Sequence, residues 1–162
     1  MMSRTITVVG SVNLDLVVRC DQLPGAGETV LGDDFAKFPG GKGANQALAA
    51  SRLGADVIMI GCVGADAEAE TALALLRADG MDLGHCRVSE RAPTGVAMIA
   101  VAPDGDNQIV LASGANSALS VTDLPDRIEG ALIGQLETPV AVLAEAAQRC
   151  QGRVVLNLAP AS

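Results

Sequence analysis

The sequence predicts an α/β fold, a mostly parallel sheet covered by helices, and three observations carry that prediction. Short apolar runs rich in β-branched residues alternate with longer runs rich in alanine and leucine, and such alternation argues for parallel strands joined by helical crossovers. A glycine loop, Pro39-Gly40-Gly41-Lys42-Gly43, opens directly into one of the helical runs. A hairpin signature around residue 105 interrupts the rhythm and calls for a small antiparallel piece at the sheet edge or standing off it as a lid. A chain of 162 residues is the size of one domain, so a single compact unit is expected.

Thr5 to Gly10 is a β-branched run ending in glycine, the pattern of a strand buried on both faces and central in its sheet. From Ser11 the pattern changes to alternation. Val12, Leu14, Leu16 and Val18 fall on one face and Asn13 and Asp15 on the other, because successive strand side chains point to opposite sides. Asn13 and Asp15 therefore point the same way, an amide and a carboxylate suited to hydroxyl groups. Pro24-Gly25-Ala26-Gly27 reads as a turn, and Glu28 to Phe38 as an exposed strand or flap. The glycine loop then leaves backbone N–H groups uncovered where a helix begins, a setting that attracts anions and oxygen-rich ligands.

The helix from about Ala44 is expected to stop at Gly54, in the position after a helix end that favours glycine. Asp56 to Val63 is a second buried strand, and Asp66 is placed to cap a helix running through Ala78 and closing at Gly80. Residues 95–101 and 108–112 flank Pro103-Asp104-Gly105-Asp106-Asn107 as the hairpin, which Gly114-Ala115-Asn116 ends. Ser120 and Asp123 have the spacing of a capping box, with a short helix expected over 123–128. A strand over 131–136 places Glu137 at its carboxyl end, where open α/β sheets bind ligands. A helix over 140–150 and a strand from Arg153 to Asn157 follow. A parallel strand needs a crossover beyond it to cover both faces, so the expected sheet is incomplete on this side.

Composition excludes several function classes. The formal net charge of −8 has the wrong sign for tracking phosphate backbones or anionic lipid, and with Trp and Tyr absent and only two Phe there is little for bases to stack on. Neither nucleic acid nor membrane is an expected partner. The start Met-Met-Ser-Arg leads straight into a strand pattern, and no run of apolar residues is long enough to span a bilayer; the cytoplasm is the expected location. Cys20, Cys62, Cys86 and Cys150 are far apart and read as reduced core thiols rather than metal ligands. The single histidine, His85, sits in a loop pattern. The glycine loop fits neither the P-loop pattern, which needs glycine at Ala36 and Ser or Thr at Gly43, nor G-x-G-x-x-G. A hydrolase triad has no G-x-S-x-G motif to rest on.

Eight motifs in register carry a resemblance: Asn13-Leu-Asp15, Gly27-Glu-Thr-Val30, Gly40-Gly-Lys-Gly-Ala-Asn-Gln46, Gly61-Cys-Val-Gly-Ala-Asp66, Thr94-Gly-Val96, Gly114-Ala-Asn116, Gln135-Leu-Glu137 and Asn157-Leu-Ala-Pro160. In this order they resemble the ribokinase-like (PfkB) carbohydrate kinases over essentially the whole chain, the ribose branch more than the adenosine or fructose branches. The resemblance implies a three-layer α/β/α fold with a small β lid formed by about 28–38 and 94–113. It also implies phosphoryl transfer from ATP to the primary hydroxyl of D-ribose or a related sugar, with Mg2+ on the nucleotide and a monovalent cation such as K+ as activator. Asn13, Asp15 and Asn45 would bond sugar hydroxyls, Gly41, Lys42 and Gly43 would line the sugar pocket, and Glu137 would complete the contacts. The lid strands would also join two copies as a homodimer. In this family the nucleotide site, the cation loop and an aspartate base after Gly-Ala-Gly belong to a C-terminal part of the fold. This chain has no Gly-Ala-Gly-Asp, and Leu158 stands where the family usually has proline. The implied reading is the sugar-binding and lid half of such a kinase, inactive alone, with a non-catalytic sugar-binding or dimerising module as the alternative.

Overall fold

The computed structural model describes residues 5–160. Nine strands and three helices follow in the order β1 (Thr5–Val9), β2 (Asn13–Cys20), β3 (Gly32–Gly40), α1 (Lys42–Arg52), β4 (Asp56–Gly64), α2 (Ala67–Ala78), β5 (Cys86–Ser89), β6 (Gly95–Val101), β7 (Asn107–Ala112), β8 (Ala131–Gln135), α3 (Val140–Arg149) and β9 (Val154–Asn157). They form two sheets. The larger has the order β5-β4-β1-β8-β9, and every pair in it is parallel. The expected α/β architecture with a mostly parallel central sheet is observed, and β1 lies at its centre.

Strand alternation sorts the core into two layers. Val8 and Met59 point to the side where Ala44, Ala47, Ala50, Ala72 and Leu76 of α1 and α2 cover the sheet. Their neighbours Val9 and Ile60 point to the other side, against Val142, Leu143 and Ala146 of α3 and Leu119, Leu124 and Ile128 of the segment before β8. Ala44, Ala47 and Ala50 of α1 bring that helix close to the sheet, and their burial is near complete. Gly54 and Gly80 take positive φ, 89° and 69°, and end α1 and α2 as expected of glycines after a helix terminus.

The smaller sheet, β3-β2-β6-β7, is the lid. β2 pairs antiparallel with β3 and parallel with β6, and β6 closes the hairpin with β7. β2 is thus a central lid strand. The lid expected over 28–38 and 94–113 does not include β2; in the structure its first strand starts later, at Gly32, and β2 holds the two parts together. Asp66 secures the lid's base. As the cap of α2 it accepts from Ala69 N (3.0 Å), and it also accepts from Thr94 N (2.7 Å) and Thr94 Oγ1 (2.6 Å), just ahead of β6. Partial burial opposes ionisation of this carboxyl, but the Thr94 and Ala69 hydrogen bonds hold it below the usual aspartate range.

Two further expectations are corrected. The helix foreseen over 123–128 is a single 3-10 turn, Val121–Asp123, closed by the Ser120–Asp123 capping box. Pro125 ends it: the residue before a proline avoids the helical region, and Leu124 has ψ 140°. β5, with the sequence Cys-Arg-Val-Ser, was not foreseen, being too short and polar to show a strand period. At the opposite edge all four residues of β9 are exposed, including Val155 and Leu156. An apolar groove of about 560 Å³ runs there between Ala49 of α1, Leu53 just after it, and Val155 and Leu156 of β9.

Candidate functional site: a polar cleft under the lid

Chain direction away from β1 reverses at its carboxyl end, because β4 adds on one side of it and β8 on the other. Such a switch point opens a crevice for ligands in an α/β sheet. Ser11 follows β1, Lys42 starts α1, and Glu137 lies just beyond β8. The Glu137 carboxylate joins the three: Oε2 accepts from Ser11 Oγ (2.5 Å) and Lys42 N (3.2 Å), and Oε1 accepts from Lys42 Nζ (2.5 Å). Burial by itself would push the Glu137 carboxyl up, but the hydrogen bonds from Lys42 and Ser11 and the Lys42 charge outweigh it and hold the group below the usual glutamate range. Glu137 is therefore ionised at neutral pH.

This arrangement corrects the expectation of bare amides at the glycine loop. Lys42 N donates to Glu137, Gly43 N to Ser11 Oγ (3.3 Å), Ala44 N to Ser11 O (2.9 Å) and Asn45 N to Gly41 O (2.9 Å). The start of α1 is satisfied by the protein's own oxygens, so its dipole faces Glu137 rather than an external anion. The site is built from side chains.

A cleft of about 130 Å³ lies between this helix start and the lid, lined by Asn13, Asp15, Gly41, Lys42, Asn45 and Glu137 with Ala97, Ile99, Ile109 and Leu111. That is well below the roughly 300–1,000 Å³ of sites for drug-sized ligands, a scale that suits one small ring. Six of the seven residues singled out from the sequence line it. Gly43 does not; it is buried against the end of β1, where an added Cβ would stand 2.5 Å from Ser11 N. Gly41 has φ 92°, a backbone shape that favours glycine, and delivers the chain from β3 into the helix.

Polar ends facing the cleft are left unpaired. No hydrogen bond among the described residues reaches the Asp15 carboxylate, the Asn45 side chain or Asn13 Nδ2, whereas Asn13 Oδ1 accepts from Asn116 Nδ2 at 2.7 Å. Burial raises the Asp15 carboxyl above the usual aspartate range, the Glu137 charge adds to this, and the Lys42 charge partly offsets it. One wall is apolar, from alternate residues of β6 and β7. Ser11, Asn116 and that wall were not among the residues singled out. Ser11 could have been found by the same rule that selected Glu137, since both follow the carboxyl ends of strands that pair directly.

A family model for "pfkB family carbohydrate kinase" matches residues 3–162. The chain belongs to this family. Among pfkB relatives, it is 43% identical over 168 residues to the ribokinase of Haemophilus influenzae, an alignment covering 99% of this chain and 55% of that one. The ribokinase structure from Cryptococcus neoformans in complex with ADP superposes with a TM-score of 0.84 at 32% identity, covering 99% of this chain and 52% of that one. The Arabidopsis thaliana ribokinase complexed with ribose and ATP gives 0.76 at 28% identity, covering 98% and 54%. The chain spans about half the length of the curated relatives it matches. Among the described residues no three His, Cys, Asp or Glu side chains are grouped to hold a metal ion. No helix of the described residues is long and apolar enough to cross a membrane.

Proposed function

We propose that this chain is the sugar-holding and lid half of a cytoplasmic kinase that transfers phosphate from ATP to the primary hydroxyl of D-ribose or a close relative. The observation that carries the reading is the set of unpaired ends in the cleft: an acceptor at Asp15 and amides at Asn13 and Asn45. A polyol presents hydroxyls that both donate and accept, and it satisfies such a set where a plain hydrocarbon or a phosphate does not. The ribose in the Arabidopsis relative supports the choice of sugar. In this reading Asp15 accepts from one sugar hydroxyl, while Asn13 and Asn45 bond others. Glu137, locked by Ser11 and Lys42, holds Lys42 and the loop at Gly41 in place beside the ring. Ala97, Ile99, Ile109 and Leu111 cover it and keep water, a competing acceptor, away.

Phosphoryl transfer also needs neutralised phosphate charge and a base for the acceptor hydroxyl, functions assigned here to the remainder of the family fold. The open β9 edge and the half-length coverage of relatives support that division. A coupled ADP-release assay with ribose, ATP, magnesium and potassium is expected to show no turnover by the purified chain; turnover would sink the half-site reading.

The lid's outer face supports the homodimer. Val18 pairs with Phe35, and Leu16 and Val110 both pair with Met98, so these side chains share the face opposite Asp15. Val18, Phe35, Met98 and Val110 are all exposed, an apolar patch of the kind that marks an interface. The same patch favours the second reading, a module that dimerises without catalysis. Val110→Glu is expected to shift the sedimentation coefficient from dimer to monomer while leaving sugar binding in place, and an unchanged coefficient would remove the lid from the interface.

A further inference from the structure

We propose that Asn116 is a positioning residue for the cleft: its amide orients Asn13 so that Nδ2, a donor, faces the ligand instead of Oδ1. The sugar itself rests on the function proposed above; the amide orientation does not. Backbone chemistry fixes the direction of the chain of hydrogen bonds. Val12 N can only donate, and it meets Asn116 Oδ1 at 2.9 Å; Val12 O can only accept, and it meets Asn116 Nδ2 at 3.2 Å. Turning the Asn116 amide over would set donor against donor and acceptor against acceptor, leaving buried polar groups unpaired. With that amide fixed, its second N–H points at the Asn13 side chain at 2.7 Å and demands an oxygen there. Asn13 must present Oδ1 inward, which leaves Nδ2 for the cleft.

The pair has no room to choose otherwise. Asn116 is 1% and Asn13 3% exposed, so water is kept from the bond between them. Both lie against the bare Cα of Gly95, where an added Cβ would stand 2.3 Å from Asn13 Oδ1 and 2.4 Å from Asn116 Nδ2. Asn116 lies in the 3-10 turn Gly114–Ala118 directly after β7, and Asn13 is the first residue of β2. The same amide thereby ties the two ends of the lid sheet together at the mouth of the site. The consequence is a directional code on one strand face: a donor at Asn13 beside an acceptor at Asp15. It favours a ligand with a hydroxyl oxygen at the first and a hydroxyl hydrogen at the second, as adjacent hydroxyls on one ring provide, and disfavours one presenting two donors.

The test combines calorimetric titration of D-ribose with 15N-resolved side-chain amide spectra of the full chain. Asn13→Asp keeps the oxygen that Asn116 bonds but replaces the donor facing the cleft with an acceptor and adds a charge beside Asp15; we expect at least about tenfold weaker ribose binding with the Asn116 amide signals still resolved. Asn116→Ala is expected to weaken ribose by a similar factor in the natural chain but by less than about twofold in the Asn13→Ala background. Equal losses in both backgrounds would mean a general structural role and overturn the proposal, as would undiminished affinity in Asn13→Asp. If the natural chain binds no ribose, the function proposed above fails, and the spectra alone decide this inference. A shift of the Asn116 amide protons on Asn13→Ala supports it, and their indifference overturns it.

Discussion

Asp15→Asn is expected to raise the urea midpoint of the chain at pH 7 and at the same time to weaken ribose binding by about tenfold or more, the loss attending a charged hydrogen bond. Asp15 is held among Asn13, Lys42 and the lid wall, the Lys42 charge only partly offsets its burial, and no hydrogen bond from the described residues reaches its carboxylate. Burial, and then the Glu137 charge, raise its carboxyl above the ordinary value of 3.8. For an acid with a raised folded pKa, the stabilising contribution belongs to the protonated form. It is present below 3.8 and is lost as pH rises through the folded value, so at pH 7 the ionised group opposes folding. Asparagine keeps the shape beside Gly40, where an added Cβ would be 2.3 Å from the Asp15 carboxyl, and removes the charge. The gap in urea midpoint between variant and natural chain should narrow as pH is lowered toward 3.8. A variant less stable than the natural chain at pH 7 would show that Asp15 has a partner in the fold and is not reserved for a ligand.

Gly43→Ala should do the reverse and damage the fold first. The added methyl would meet Ser11 N at 2.5 Å, Gly10 C at 2.6 Å and Ser11 O at 2.7 Å. All three are backbone atoms of the end of β1, so no flexible side chain can yield. Alanine is favoured over glycine in a helix by about 1 kcal/mol, but overpacking of a tight contact costs about 1–3 kcal/mol and occasionally more. The clash wins, and a net loss lowers Tm by roughly 2–4 °C per kcal/mol in a chain of this size. Moving the start of α1 also draws Lys42 N and Gly43 N away from Glu137 and Ser11, so ribose binding should fall with stability. Gly25→Ala, whose methyl would meet only the side-chain end of Glu28 at 3.3 Å, is the control and should leave the thermal midpoint nearly unchanged. Equal midpoints for the two variants would mean that the helix start is free to shift.

Much of the fold was legible because it is written in local periods. β1 and β4 are β-branched runs that close on glycines, α1 and α2 end on glycines with positive φ, and the cap at Asp66 is observed with its bond to Ala69. The pairing of Asn13 with Asp15 on one face follows from strand alternation alone. What the local pattern could not contain is which sheet a strand joins. The alternation of β2 fits any strand with two unlike faces, and only its pairing with β3 and β6 makes it the centre of the lid. Ser11 lay within reach of the strand-end rule, but its partner Glu137 is 126 residues away, so the bond that gives it a role is not a local pattern. The glycine loop was found but misread at its amides, because what satisfies them comes from the ends of two other strands. Resemblance, not periodicity, brought Glu137 and Asn45 to the same cleft.

In this reading the cleft under the lid recognises a polyol by its separate hydroxyls. Calorimetric titration of the chain with D-ribose and with 2-deoxy-D-ribose, repeated for Asp15→Ala, tests it most directly. We predict saturable single-site binding of ribose, weaker binding of the deoxy sugar because a polar group of the site is left unpaired, and no measurable heat with Asp15→Ala. An absence of ribose binding by the natural chain, or equal affinity for the two sugars that survives Asp15→Ala, would contradict it.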